Sequence, residues 1–349
     1  MHMVHTWRPA GLVLVALLGM AVGCGDTRPE GAVDEQALAP PGDVVHVVAS
    51  LYPLADVARQ IGGESVTVET LLPPGVTPHG FNPTPRAMVD LGGADVVLVA
   101  GRGVDAWAVE LAARVAPEAE VLTLAAVAEA AGVVESHGDQ APDAESGHDH
   151  GHGHDDHAHH GHDHGHDHGH GHFGPNPHLW LDPLALDTLI TPLTELLLAR
   201  LPEPDAAEVR ERAEAFRQDV QAVHEEHQQR LAAVPRQRLV TFHNAFDPLA
   251  ERYGLKVVAH LTPIELGAGG EVTPARLDAA VRAVASYDVP AVYVEPQFAA
   301  AAADRIAERT GIAVLTLDPL GHPELDGRRT WAELMRTNLD TLVDGQTPD

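Results

Sequence analysis

A single cysteine, Cys24, in 349 residues leaves nothing to pair in an internal disulfide and excludes a CxxC-type zinc or redox site. Basic residues are scarce too: 22 Lys and Arg stand against 51 Asp and Glu, a formal charge of -29 with histidine neutral. So acidic a chain is not built to neutralise nucleic-acid phosphates, nor to hold a membrane surface through a polybasic patch. The apolar run Ala10 to Gly23 rises only about 21 Å as a helix, short of the ~30 Å hydrocarbon core, which fits a signal-peptide segment better than a permanent span. What is present is a 44 % hydrophobic composition, enough for a real core, in a length that favours two packed lobes over one. Histidine is the anomaly: 24 residues, 14 of them between His137 and His172.

The N-terminus accounts for the lone cysteine. His2, His5 and Arg8 precede the apolar run, the pattern of a signal peptide over 1–23. Ala21-Val22-Gly23-Cys24 resembles a bacterial lipobox, with Ala21 where leucine is commoner, and makes Cys24 the expected lipidated first residue of the mature chain. Residues 24–42, rich in Gly, Pro, Ala and acid without a period, read as a flexible tether.

The body predicts an α/β fold of two lobes, each a mainly parallel sheet flanked by helices. Val44–Ser50, Val66–Leu72 and Asp95–Ala100 are short β-rich runs separated by helix-compatible stretches. Arg238–Phe242, Lys256–Ala259, Ala291–Glu295 and Ala313–Leu317 repeat the pattern. Between them, Ala206, Val209, Ala213, Phe216, Val220, Val223, His227, Leu231 and Val234 recur every three or four residues on one helical stripe. Asp205 as N-cap and Pro235 as stop bound a linking helix over 205–234, about 45 Å long. The expected organisation is an N-terminal lobe over 43–204, this helix, and a C-terminal lobe over 235–349 closed by an amphipathic helix carrying Trp331, Leu334, Met335, Leu339 and Leu342.

One segment resists that pattern. Ser136–Gly174 contains no Lys, Arg, Leu or Ile, and cannot bury enough apolar surface to offset its ordering entropy, so a disordered loop is expected over 136–174. Its imidazoles (His148, His150, His152, His154, His157, His159, His160, His162, His164, His166, His168, His170 and His172) alternate with Gly and Asp and fix no single geometry. They read as a collector of weak, exchanging sites for zinc, copper or nickel, the alternative being a polar insertion of no function.

Ordered candidates stand elsewhere. His79 sits in the proline-stiffened loop Leu72-Pro73-Pro74-Gly75-Val76-Thr77-Pro78-His79, His178 follows the tract in Asn176-Pro177-His178-Leu179-Trp180-Leu181-Asp182-Pro183, and His243 and Asp318 each follow a predicted strand. Ligands of open α/β sheets bind at the carboxyl ends of strands, and two candidates fall in each half, so the cleft between lobes is where they would meet. Taken singly, each is equally readable as a surface histidine or, for Asp318 before Pro319, as a turn opener.

Together, LLPPGVTPHGFNPTP, NPHLWLDP, TFHNAF, EPQF and LDPLG resemble the zinc/manganese-specific solute-binding proteins of bacterial ABC importers, above all the high-affinity zinc-uptake type with a His-rich loop. The resemblance covers about Val44 to Val343. It implies two α/β lobes joined by a long rigid helix, with His79, His178, His243 and Asp318 as metal ligands. Two features depart from it: Pro78 stands where some zinc-type members carry an acid, and one cysteine forbids the disulfide some carry in the second lobe. Glu295, at a strand end, is readable as a group orienting a histidine or as a bystander; His260 reads as structural or supporting, and His224 and His227, on the long helix, as non-ligands.

Three imidazoles and one carboxylate suit Zn2+ over Mn2+, with Cu2+ and Ni2+ as in vitro competitors. Four protein donors would fill a tetrahedron, whereas a hydrolase needs an open position for water. The resemblance therefore implies a non-enzymatic, monomeric, lipid-anchored extracytoplasmic receptor that captures Zn2+ between lobes and delivers it to a membrane ABC permease with its ATPase. The alternatives are an extracellular zinc-dependent hydrolase, a Mn2+-preferring receptor of the same kind, and a metal buffer in which only the tract matters. Histidine ligation predicts loading that weakens as pH falls through about 6 to 5.

Overall fold

The computed structural model describes residues 44–135, 175–262, 272–298 and 300–347. The expected signal peptide, Cys24 and its tether, and the histidine tract lie outside the described residues.

The first half alternates strand and helix: β1 (Val45–Ala49), α1 (Tyr52–Gly62), β2 (Val66–Thr70), α2 (Pro85–Leu91), β3 (Val96–Val99), α3 (Ala106–Val115), β4 (Glu120–Thr123) and α4 (Leu124–Ala130). Its sheet is parallel in the order β2-β1-β3-β4, with Val47 paired to Val68 on one side and Val96 on the other. Then come α5 (Pro183–Leu198) and α6 (Asp205–Ala232). The second half follows as β5 (Arg238–Thr241), α7 (Asp247–Arg252), β6 (Lys256–His260), α8 (Pro274–Tyr287), β7 (Ala291–Val294), α9 (Ala301–Thr310), β8 (Ala313–Thr316) and α10 (Trp331–Gln346). Its sheet is parallel in the order β6-β5-β7-β8. Helices cover both faces of such sheets, so central strands read as unbroken apolar runs; all four residues of β3 (VVLV) and of β7 (AVYV) are buried.

Strand β4 has no such signature. It is an edge strand whose Glu120 and Val121 are exposed, and the sequence pattern does not anticipate it. The helix α6 begins at Asp205 itself, with Pro204 in the capping position, so Asp205 is not the N-cap; it contributes a carboxylate to the first turn instead. The buried stripe from Ala206 to Leu231 faces α1, α5 and α10.

The core is continuous across the halves. Trp331 of α10 donates its backbone N–H to Asp56 of α1 at 2.7 Å and its indole N–H to the Trp180 carbonyl at 2.8 Å. Trp180 in turn donates its indole N–H to the Pro319 carbonyl, just beyond β8, at 2.7 Å. One apolar cluster runs through Val47, Leu54, Trp180, Phe216, Tyr293 and Leu342, drawn from both sheets and from α6. This continuity fixes the loops that leave the carboxyl ends of the strands.

Candidate metal centre

Three imidazoles meet where those loops face each other. His79 comes from the loop after β2, His178 from the segment entering α5, and His243 from the turn after β5. Their ligand-capable nitrogens all lie within 4.8 Å of one another. The Nε2 atoms of His79 and His178 are 3.1 Å apart, and those of His243 and His178 are 3.3 Å apart. The three, with Trp180, Glu295 and Phe298, line a cavity of about 10 Å³, the scale of one small ion or water.

The opposite edges of two rings are already committed. His178 Nδ1 faces the Asn176 side-chain oxygen at 2.8 Å, and that oxygen also accepts the His178 backbone N–H at 2.9 Å. His243 Nδ1 faces Glu295 Oε1 at 2.5 Å, with both side chains buried. An imidazole that donates through Nδ1 carries its lone pair on Nε2. Two lone pairs are thereby aimed at a common point, an arrangement that repels unless a cation or a shared proton sits between them.

Burial sharpens this. The His79 ring is pushed down to a pKa of about 4, first by desolvation and then by the neighbouring His243. His178 is fully buried and lies well below the ordinary histidine value, by desolvation and then by His243 and His79. Both rings are shifted toward the neutral form, and at His79 proton competition sets in near pH 4, lower than the window expected of free histidine.

Asn176 ties the halves together. Its Nδ2 donates to the Asn244 carbonyl at 2.7 Å, one residue past His243, while its oxygen holds His178. Arg102, in the turn after β3, donates to the Asn176 carbonyl at 2.9 Å and the Glu135 carbonyl at 3.1 Å. One guanidinium thus holds the two ends between which the histidine tract is inserted. Arg252 of α7 grips Asp182 through Nε and Nη2, at 3.0 and 2.6 Å, fixing the far side of the His178 segment against the second half.

Asp318 is not brought to the three histidines. Its Oδ1 accepts the backbone N–H groups of Leu320 (3.0 Å) and Gly321 (3.1 Å), and its Oδ2 pairs with Arg328 at 3.2 Å. The carboxylate closes its own turn, while the following Pro319 and Leu320 line the cavity beside the three histidines. His260 lies outside the triad as well. Its Nδ1 bonds Thr241 Oγ1 at 2.9 Å and its Nε2 faces Asp247 at 3.2 Å; Thr241 in turn donates to the His243 carbonyl, so His260 supports a backbone and not a ring. On α6, His224 bonds the Tyr253 hydroxyl and His227 the Val223 carbonyl, both away from the centre. Asn176 and Trp180 were the residues that motif reading passed over, although both stand within two residues of His178.

A family model described as zinc-uptake complex component A, periplasmic, matches residues 47–345. The chain belongs to this family. The high-affinity zinc uptake system protein ZnuA of Haemophilus ducreyi is 34 % identical over 275 residues, covering 79 % of this chain and 84 % of the relative. The manganese-binding lipoprotein MntA of Halalkalibacterium halodurans is 25 % identical over 339 residues, covering 95 % of this chain and 96 % of the relative. Among solved structures, the periplasmic zinc-binding protein TroA of Treponema pallidum superposes with a TM-score of 0.68 at 18 % identity, covering 87 % of this chain and 99 % of that one. A zinc-bound ZnuA deletion mutant superposes at 0.66, with 20 % identity and coverage of 88 % and 100 %. Family members of this kind share the two-sheet fold seen here, and the relatives are named as metal-binding and uptake proteins, not as enzymes.

Proposed function

We propose that His79, His178 and His243 hold one Zn2+ as cargo and that the chain is the extracytoplasmic receptor of an ABC importer, presenting zinc to a membrane permease with its ATPase. The observation that carries this is the pair of Nε2 atoms aimed at one small cavity, with Nδ1 of His178 and of His243 occupied by Asn176 and Glu295. Membership in a zinc-uptake family supports the transport role, and the relatives' names support zinc or manganese as the ion. An all-nitrogen set favours zinc; manganese prefers carboxylate and carbonyl oxygens.

The donor set proposed is three imidazoles, because Asp318 is spent on its own turn and on Arg328. That leaves a fourth position open, so the closed tetrahedron no longer argues against a hydrolase. Family membership does, and so does Glu295, whose Oε1 is engaged with a histidine where a hydrolase would need a free base. In the same proposal 1–23 is a signal peptide and Cys24 carries the lipid that tethers a monomeric receptor, with the tract over 136–174 collecting metal nearby. Among the described residues no helix is long and apolar enough to cross a membrane.

Titration of the chain lacking residues 136–174 separates the receptor from a buffer. The expected result is one tight zinc per chain, lost on His243→Ala; a chain that binds almost no zinc once the tract is gone contradicts the proposal.

A further inference from the structure

A second cavity, of about 340 Å³, adjoins the metal centre and shares Leu320 with it. Its size falls in the range of small-molecule sites. One side belongs to the first half, with Arg59, Arg86 and the Leu71–Gly75 loop; the other is Leu320 to Pro323 of the second half.

The charge of this cavity is unlike that of the chain. Arg59 is half-buried; its Nη2 donates to the Val68 carbonyl at 3.1 Å and to Thr70 Oγ1 at 3.5 Å, and its guanidinium lies 5.6 Å from the Tyr52 ring centroid. Among the described residues it forms no ion pair. The nearby Asp56 carboxylate is occupied by the Trp331 backbone N–H and by Gln60. Arg86 is paired with Asp90 at 2.6 Å, so the lining carries two guanidiniums against one carboxylate. His322 Nδ1 accepts the Glu324 backbone N–H at 3.2 Å, which leaves its ring proton on Nε2 as a further donor. The remaining walls, Leu71, Leu72, Leu320 and the prolines, are apolar. Two guanidiniums and an imidazole N–H against one lining carboxylate, with Asp56 behind Arg59 already bonded to Trp331 and Gln60, set beside apolar walls in a chain of charge -29, suit a small carboxylate with an apolar body.

We propose that this cavity binds a small organic monocarboxylate, its carboxylate on Arg59 and its apolar body against Leu72 and Leu320, bridging the two halves beside the metal centre. The site is separate from the three histidines and stands whether or not they hold zinc.

Benzoate, with benzamide as its uncharged counterpart, tests this by calorimetric titration of the full chain. Benzoate is expected to bind saturably at one per chain, at least tenfold more tightly than benzamide, and Arg59→Gln is expected to weaken benzoate tenfold while zinc affinity is unchanged. The benzoate–benzamide contrast needs no variant, so it stands even should Arg59→Gln fold poorly. Absence of saturable benzoate binding, equal binding of the two compounds, or full affinity in a well-folded Arg59→Gln protein overturns the proposal. His178→Ala is expected to bind benzoate as the wild type does; loss there would place the anion on the metal and overturn it as well.

Discussion

Asn176 concentrates more of the site's geometry than any one of the histidines. A single amide accepts from His178 at backbone and ring and donates across to the Asn244 carbonyl. Asn176→Ala removes the acceptor that fixes the His178 tautomer, and should weaken zinc binding by about 10–100-fold, with Asn176→Asp recovering part of it, in competition titrations against a chelator. Asp318 gives the opposite expectation. Asp318→Ala strips the cap from two backbone N–H groups and orphans Arg328, so it should cost about 2–4 kcal/mol in denaturant unfolding while leaving zinc affinity within a few-fold of wild type. A loss of zinc affinity of tenfold or more in a folded Asp318→Ala protein would put the carboxylate in the donor set. Sequence made His79, His178, His243 and Asp318 alike, each at a strand or loop end. Three of them converge and one does not, because the direction of a carboxylate is decided by the nearest free N–H groups, here Leu320 and Gly321, which no spacing rule displays.

At the scale of elements, α6 was legible because its apolar residues keep a helical period, and every stripe residue from Ala206 to Leu231 is buried. Strand β4 was not, because a four-residue edge strand with its first two residues exposed carries too short a pattern to detect. The same stripe places His227 in the core, where its Nδ1 bonds the Val223 carbonyl and its ring lies 5.4 Å from that of Tyr253. Desolvation lowers its pKa to about 4. On acidification the unfolded chain therefore takes up this proton first, near the ordinary value of about 6.5, and the folded state only near 4. Stability is present above the unfolded value, falls as pH drops between the two, and levels off below. Thermal melts of metal-free protein from pH 7 to 4 should show this loss, and His227→Gln, which has nothing to titrate, should flatten part of it; an unchanged slope would contradict the burial of a neutral ring.

The whole molecule brings its histidines together by continuity of its core. Trp180 and Trp331 bond to backbone across both halves, Arg252 grips Asp182, and one apolar cluster passes from the first sheet to the second. A donor set split between halves, His79 and His178 on one side and His243 on the other, would lose affinity when either half shifts, since removing one of three donors costs a large share of structural-zinc binding energy. The two-sheet architecture was readable from the alternation of β-rich runs and helices, whereas the separation of Asp318 from the triad was not, because it depends on how the last strand's turn closes. Zinc K-edge absorption of the chain lacking residues 136–174, loaded with one equivalent, tests convergence most directly. The expected spectrum has three imidazole nitrogens at about 2.0–2.1 Å, falling to two in His243→Ala. A zinc shell without three imidazoles, or one unchanged by His243→Ala, would contradict the account.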